Sequence, residues 1–396
     1  MKQDKKITIG LFNDSFFPMA DGVVMVVDNY AKRLSKFANV IVFVPRYLNH
    51  PFDDSSLPYK VVRCASIKVP HLDYSIALPK IDFMFMHTIH KYNLDIVHVH
   101  SPFTIGKVGY QYAKKNHIPC VATMHSQFKQ DIQKALKNPK ISSKLNDDLI
   151  IKFFNKFDEC WAVNKEVARI YYEDYHYKCL PKVMNNATEM LPVKDKREAR
   201  NYINNLYNIA DDEFVFLFVG RINTLKNILF IADALKIISD KRPDIKYRML
   251  YVGSGQDTDK LEAYINELKI NDKVILCGKI MDHLVLANYY ARADLFLFPS
   301  VYDASSIVQI EAASQGCPGI FIKGTATAST ITDGVDGLLS DNNPESYADL
   351  IIETINDRNK LKKLKENAYK NLYVNWDDKI EEVYKNYLEM IEKKGK

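Results

Sequence analysis

The chain is governed by a rhythm: short apolar runs bounded by turn residues alternate with longer stretches whose apolar residues recur every three or four positions. Runs of this kind suit strands buried on both faces, and the stretches between them suit crossover helices, so the sequence predicts βαβ units around parallel sheets. In the first half, strands are predicted at residues 7–12, 40–44, 60–64, 96–100, 119–123, 159–163 and 182–184, with helices over 23–37, 107–116 and 146–157. A second set is predicted at 214–219, 247–252, 273–277, 295–298, 319–321 and 337–339. The polar residues 191–197 are read as the connection between the halves. No repeat of 20–50 residues is visible, which excludes a solenoid. The expectation is an α/β protein of two Rossmann-like halves facing an interdomain cleft, with loops at the strand ends meeting there.

Composition narrows the class further. With 396 residues, 47% hydrophobic and 26% charged, the chain has the balance of a globular protein of two or three domains. Six cysteines without CxxC spacing predict reduced thiols and a cytoplasmic location. The first apolar run, at 7–12, is far shorter than the roughly 20 residues that span a bilayer. The net charge of +5 is unevenly placed: residues 1–190 hold 26 Lys and Arg against 18 acids, the remainder 28 against 31. Residues 1–150 contain no Glu. That basic half either favours anionic surfaces such as lipid headgroups or simply carries solvated lysines. Nothing points to nucleic acid as a partner.

Ligands of open α/β sheets bind beyond the carboxyl ends of the strands, so functional side chains are expected there. After the run ending at Phe298 stand two carboxylates, Asp303 and Glu311, at a strand-to-helix junction with Ser306 and Ile307 between them. Carboxylates accept hydrogen bonds from sugar or ribose hydroxyls, and the first N–H groups of a helix suit phosphate oxygens. The competing reading makes Asp303 a helix cap and Glu311 a solvated surface residue. After the run at 214–219 come Gly220, Arg221 and then Lys226, a close-approach glycine followed by two cations suited to a diphosphate.

On these stretches the chain resembles the retaining glycosyltransferases of family 4, which have the GT-B fold. The family's Glu-x7-Glu signature is matched by Asp303 and Glu311 after Phe298-Pro299-Ser300, and its Gly-Arg-x4-Lys signature by Gly220, Arg221 and Lys226. Lesser markers also match: Gly253-Ser254-Gly255, Gly278, residues 289–294 and Asp336-Gly337. The resemblance implies that Arg221 and Lys226 hold the donor diphosphate and stabilise its growing charge. It implies that Glu311 binds ribose hydroxyls, that Asp303 meets the transferred sugar, and that Lys279 and Ile280 lie near the base. Gly22, in Asp21-Gly22-Val23, would approach the phosphates, and His125 would be the active-site histidine. Departures are Asp303 for the family's first Glu, Ser306 for a usual Gly and Asn186-Ala187 for Asn-Gly. They bear on the donor sugar, for which UDP-glucose is favoured and GDP-mannose possible. No cofactor is implied. The last segment, 376–396, would return to the first domain, giving domains at 1–184 and 185–375.

Two features could suggest a metal. His98 and His100 have strand spacing, so both face one side of a sheet; without a third ligand they read as structural. Asp257-Thr258-Asp259 reads as acids in a first helical turn. The resemblance to family 4 likewise implies transfer that needs no divalent metal.

For the acceptor, residues 128–157 interleave lysines with apolar residues, as an interfacial helix does. Phe128, Lys129, Lys134 and Lys137 are the membrane and acceptor candidates, within 128–144, whereas 146–157 reads rather as a packed helix with a wet face. The wording around residues 98–103 and 302–306 resembles bacterial enzymes that glucosylate diacylglycerol, which implies a lipid acceptor and a peripheral site on the inner membrane face. Rival readings are a glycan or polyprenyl-linked acceptor, a non-catalytic sugar-nucleotide sensor, and a nucleotide-sugar epimerase.

Overall fold

The computed structural model describes residues 6–19, 21–47, 51–68, 75–126, 146–301, 303 and 306–395. The chain forms two compact units, Met1–Asn186 together with Trp376–Lys396, and Ala187–Asn375.

In the first unit, β1 (Thr8–Phe12), β2 (Asn39–Pro45), β3 (Lys60–Cys64), the short β4 (Ser66–Lys68) and β5 (Ser75–Ala77), then β6 (Ile96–Val99), β7 (Cys120–Met124), β8 (Glu159–Ala162) and β9 (Lys182–Val183) follow in turn. Seven of them make one parallel sheet in the order β3-β2-β1-β6-β7-β8-β9. β1, β2, β6 and β7 are almost wholly buried, which is why their sequences are mostly apolar and do not alternate with charged residues. The final helix, Trp376–Gly395, packs on this unit, with Lys36 paired to Asp377 at 2.8 Å and Lys394 to Asp158 at 2.6 Å.

The second unit holds β10 (Phe214–Val219), β11 (Tyr247–Val252), β12 (Val274–Gly278), β13 (Leu295–Leu297), β14 (Gly319–Ile322) and β15 (Leu338–Ser340). They form a parallel sheet in the order β12-β11-β10-β13-β14-β15. Both sheets thus share one plan: the first three strands run outward one way and the later ones, four in the first sheet and three in the second, the other way. The strand order reverses between β1 and β6 in one unit and between β10 and β13 in the other. At such a switch point the two adjacent crossover connections leave on opposite faces, and a crevice opens above the strand ends.

Three differences from the sequence reading stand out. Residues 191–197 lie inside the second unit and do not connect the two. Leu191 O and Val193 N are held by the Gln315 amide, at 2.9 Å each, and Lys196 begins a helix, Lys196–Tyr207. Residues 146–157 form a π-helical turn, Asn146–Ile151, and a short α segment, Lys152–Phe154, whose Ile150, Ile151, Phe153, Phe154 and Phe157 are buried. That spacing serves the core, as the packed reading expected, and the difference is a π-helical turn in place of a continuous α-helix. The antiparallel β4–β5 pair and the helix Phe83–Ile89 were not foreseen, because they are short and bury few residues, among them Ala77, Phe85 and Ile89, while Ile67, Ile76, Phe83 and Met84 face outward.

Candidate functional site

In the second unit, the loop after β10 is held by its neighbour. Gly220 N donates to Val252 O at 3.0 Å and Ile222 N to Ser254 O at 3.1 Å. A Cβ on Gly253 would stand 1.8 Å from Gly220 O, and one on Gly255 2.1 Å from Ile222 O, so only glycine lets the two backbones meet. Asp257 Oδ2 accepts from Thr224 N at 2.7 Å, and Asn223 Oδ1 from Lys226 N at 3.2 Å. The first acid of the Asp257-Thr258-Asp259 triplet thus pins the loop that carries Lys226.

That loop reaches across the switch point. Asn227, with φ of 60°, donates from Nδ2 to Pro299 O at 3.3 Å. Lys226 Nζ pairs with Asp303 Oδ1 and sits 5.7 Å from the Phe298 ring centroid, a cation held between a carboxylate and an aromatic face. Both side chains are largely sheltered, at 20% and 17% exposure, so this pair is screened less than a surface one. Asp303 Oδ2 is buried and has no partner among the described residues. Arg221 is exposed and makes no ion pair among the described residues, leaving its planar fork uncommitted.

The alternative readings of the two carboxylates fail. The helix after β13, Ile307–Ser314, takes Ser306 as its cap, with Asp303 outside it. Glu311 is buried and accepts from Tyr290 OH at 3.1 Å. Burial raises the Glu311 pKa, partly offset by His283 and the Tyr290 hydrogen bond. A buried acid with one donor is a strained choice for a structural residue and a suitable one for an oxygen that awaits ligand hydroxyls. The Ser306 side chain makes no capping bond, and Ile307 opens the helix with its N–H among the unpaired first donors. Lys279 and Ile280 follow β12, exposed and half-buried respectively. Arg292 and Asp294 of the 289–294 marker form a buried network with Asn204, Glu213 O and Lys365, and are structural.

In the first unit the strand-end chemistry is neutral. Gly22 opens the helix Gly22–Leu34 behind the Asp21 cap, and a Cβ there would meet nothing within 4 Å. Asp14 is taken up by the helix Thr104–Asn116, accepting from Thr104 Oγ1 and Ile105 N at 2.8 Å each. His98 lies within β6, and His100 and His125 stand just past the ends of β6 and β7. His98 bonds Tyr387 OH at 2.5 Å and Thr123 Oγ1 at 2.7 Å, and His100 Nδ1 lies 3.0 Å from His125 Nε2. Burial drives all three imidazole pKa values down, with His125 at about 3 although its ring is only half-buried, so all are neutral at pH 7. Sequence reasoning placed His98 and His100 on one face but missed that His100 abuts His125. No His, Cys, Asp and Glu cluster of metal-binding size occurs among the described residues.

Phe128, Lys129, Lys134 and Lys137 lie outside the described residues. A different apolar surface is seen in the same unit. Ile67 and Ile76 pair across β4 and β5 and are 54% and 48% exposed, and Phe83 and Met84 are 82% and 73% exposed. Asp82 joins these elements by accepting from Ala65 N at 2.7 Å and Phe85 N at 2.9 Å. Its only sequence signal was apolar residues set next to lysines, Ile67 before Lys68 and Phe83-Met84 shortly after Lys80.

Comparison with known proteins agrees with this architecture. The chain is 24% identical to alpha-monoglucosyldiacylglycerol synthase from Acholeplasma laidlawii over 364 residues, 87% of each chain. It is 25% identical to the protein of that name from Streptococcus pneumoniae over 348 residues, 84% of this chain and 74% of that one. The solved structure of Anabaena HepE with UDP-glucose superposes with a TM-score of 0.71 at 17% identity, covering 96% of this chain and 100% of the other. Residues 20–187 match the family described as Glycosyltransferase Family 4, and residues 200–371 match Glycosyl transferases group 1. With both units matched in order, the chain belongs to glycosyltransferase family 4 and is a hexosyltransferase of the GT-B fold.

Proposed function

We propose that the protein transfers a hexose, with retention of configuration, from a nucleotide-sugar to a hydroxyl of a diacylglycerol-type lipid, forming an α-glycoside. The observation that carries the donor half is the Lys226–Asp303 pair beside the uncommitted Arg221, at the switch point of the second sheet. Two cations there offset the charge that grows on a departing diphosphate, and the idle oxygen of Asp303 and the buried Glu311 accept from sugar and ribose hydroxyls. UDP-glucose is the favoured donor, supported by the likeness to a protein solved with it; GDP-mannose is the alternative. No metal is required in this reading, since the two cations occupy the role that an ion would have.

The lipid acceptor is supported by the names of the two synthases and by the exposed Ile67, Ile76, Phe83 and Met84 beside Lys68 and Lys80. Among the described residues no helix is long and apolar enough to cross a membrane, so binding to the anionic inner face of a plasma membrane would be peripheral. The deciding experiment is a screen of nucleotide-sugars against a lipid extract with mass detection, with and without EDTA, alongside flotation with anionic vesicles. A hexosyl-diacylglycerol formed equally in EDTA, with salt-sensitive vesicle binding, is the expected result. Product only on a polyprenyl-linked glycan would overturn the acceptor, and tight donor binding with no turnover on any acceptor would overturn the enzyme.

A further inference from the structure

His125 has one buried neighbour that limits what it can do. Its Nε2 lies 3.0 Å from His100 Nδ1, and with both rings neutral that contact holds a single hydrogen. The other nitrogen of His100, Nε2, is buried and meets no oxygen or nitrogen partner among the described residues. If His125 supplied the hydrogen, His100 would carry its own on Nε2, a buried N–H with no such acceptor. If His100 supplies it, Nε2 keeps only a bare lone pair. Buried N–H groups without partners are the rarer and less tolerated of the two.

We propose that His100 is a positioning residue whose Nδ1–H donates to His125 Nε2, fixing His125 as its Nδ1–H tautomer, so that His125 meets a ligand oxygen as a hydrogen-bond donor and not as a base. The surroundings keep the His100 ring from turning over. It stacks on His98 with centroids 4.0 Å apart, and Tyr30 stands edge-to-face at 5.5 Å. His98 is itself tied at both nitrogens, by Tyr387 and Thr123. His125 Nδ1 has no partner among the described residues and is the nitrogen left for a ligand.

The inference rests on the reading of the chain as a glycosyltransferase with His125 beside the reacting sugar. There, a donor N–H polarises a hydroxyl oxygen and leaves the acceptor's proton to the departing phosphate. The Nδ1–H form is the one that neutral histidine disfavours in water, so its presence in both rings would be imposed by the fold.

The test is a multiple-bond proton–nitrogen spectrum of the full chain labelled with nitrogen-15 histidine, taken at pH 7.5, with donor kinetics on His100→Asn and His100→Phe. Both His100 and His125 are expected as neutral Nδ1–H rings. Asn places an amide N–H near the original Nδ1, so H100N retains the His125 tautomer. H100F releases it to Nε2–H and lowers kcat by about tenfold, the loss expected for one neutral hydrogen bond, with KM for the donor little changed. An Nε2–H or imidazolium His125 in the parent protein would overturn the proposal, as would H100N losing as much kcat as H100F. Should H100F not fold, the parent spectrum and H100N still decide. Absence of any turnover in the parent would sink the transferase reading, and the spectrum alone would then decide the tautomer.

Discussion

The two units share one sheet plan and carry opposite chemistry at the switch point. In the second, the segments beyond β10 and β13 present Arg221, Lys226 and Asp303 from loops and Glu311 from the helix Ile307–Ser314, of which one cation is exposed and one carboxylate is buried. In the first, the residues beyond β1 and β6 are either consumed by structure, as Asp14 is, or uncharged, as His100 is, with the uncharged His98 inside β6 behind it. The plan fixes where a ligand can bind, and the side chains on it decide which ligand chemistry is served. Fixed charge suits a diphosphate whose charge rises during bond cleavage. Neutral donors and acceptors suit hydroxyls, which must be oriented without being ionised.

The sharpest way to break this contrast is Lys226→Ala. It removes the cation and leaves the sheltered Asp303 with both oxygens idle. A fall in kcat/KM of about 10²- to 10³-fold is expected from the loss of one preorganised electrostatic group. Steady-state kinetics with varied donor would show it, and a change of less than about threefold would mean that the charge at this end is as peripheral as an exposed surface pair.

A smaller effect with an opposite sign in stability is expected for Glu311→Gln. Burial raises the Glu311 pKa above its value in the unfolded chain, so the folded state disfavours the ionised form. Its contribution to stability is therefore greatest below the unfolded pKa and is lost as pH rises through the folded one. Gln keeps an acceptor for Tyr290 OH and carries no charge, so E311Q should melt higher than the parent at pH 7.5, with the gain shrinking towards pH 4. Donor affinity should meanwhile fall by about tenfold, as expected for one charge-assisted hydrogen bond. A variant that melts lower at pH 7.5 would show that Glu311 is structural, like Asp294.

Much of this was readable in the chain. The strands at 214–219 and 247–252 matched the structure because each is a buried run ended by a glycine. The cations and carboxylates followed from their places after strands. What the sequence hid were pairings across distance. Tyr290 and Glu311 meet from two helices, and His98 meets Tyr387 289 positions away, with nothing in either local pattern to announce it. His100 and His125 are 25 positions apart, and only the adjacency of β6 and β7 brings them together. Asp257 was ambiguous for another reason: a triplet of acids fits a metal or a helix start, and its true partner, Thr224 N, is a backbone group that no side-chain pattern reveals.

Tyr387→Phe should have the smallest effect on the reaction, and it tests how far the neutral end extends. The substitution deletes the hydroxyl bonded to His98 Nδ1 and keeps the ring, which stacks on Trp161 at 5.7 Å and 11°. An unpaired buried nitrogen costs about 1–3 kcal/mol. For a unit of roughly 200 residues that lowers Tm by about 2–4 °C per kcal/mol, readable by calorimetry. His98 keeps its bond to Thr123, and His100 lies between it and His125, so kcat should stay within about twofold, as for a change remote from the chemistry. A loss of kcat as large as that of His100→Phe would show that the hydrogen bonding of His98 is felt at His125. The three histidines would then act as one unit coupled through the His98–His100 stack and the His100–His125 hydrogen bond, and the uncharged end of the first sheet would be as preorganised as the charged end of the second.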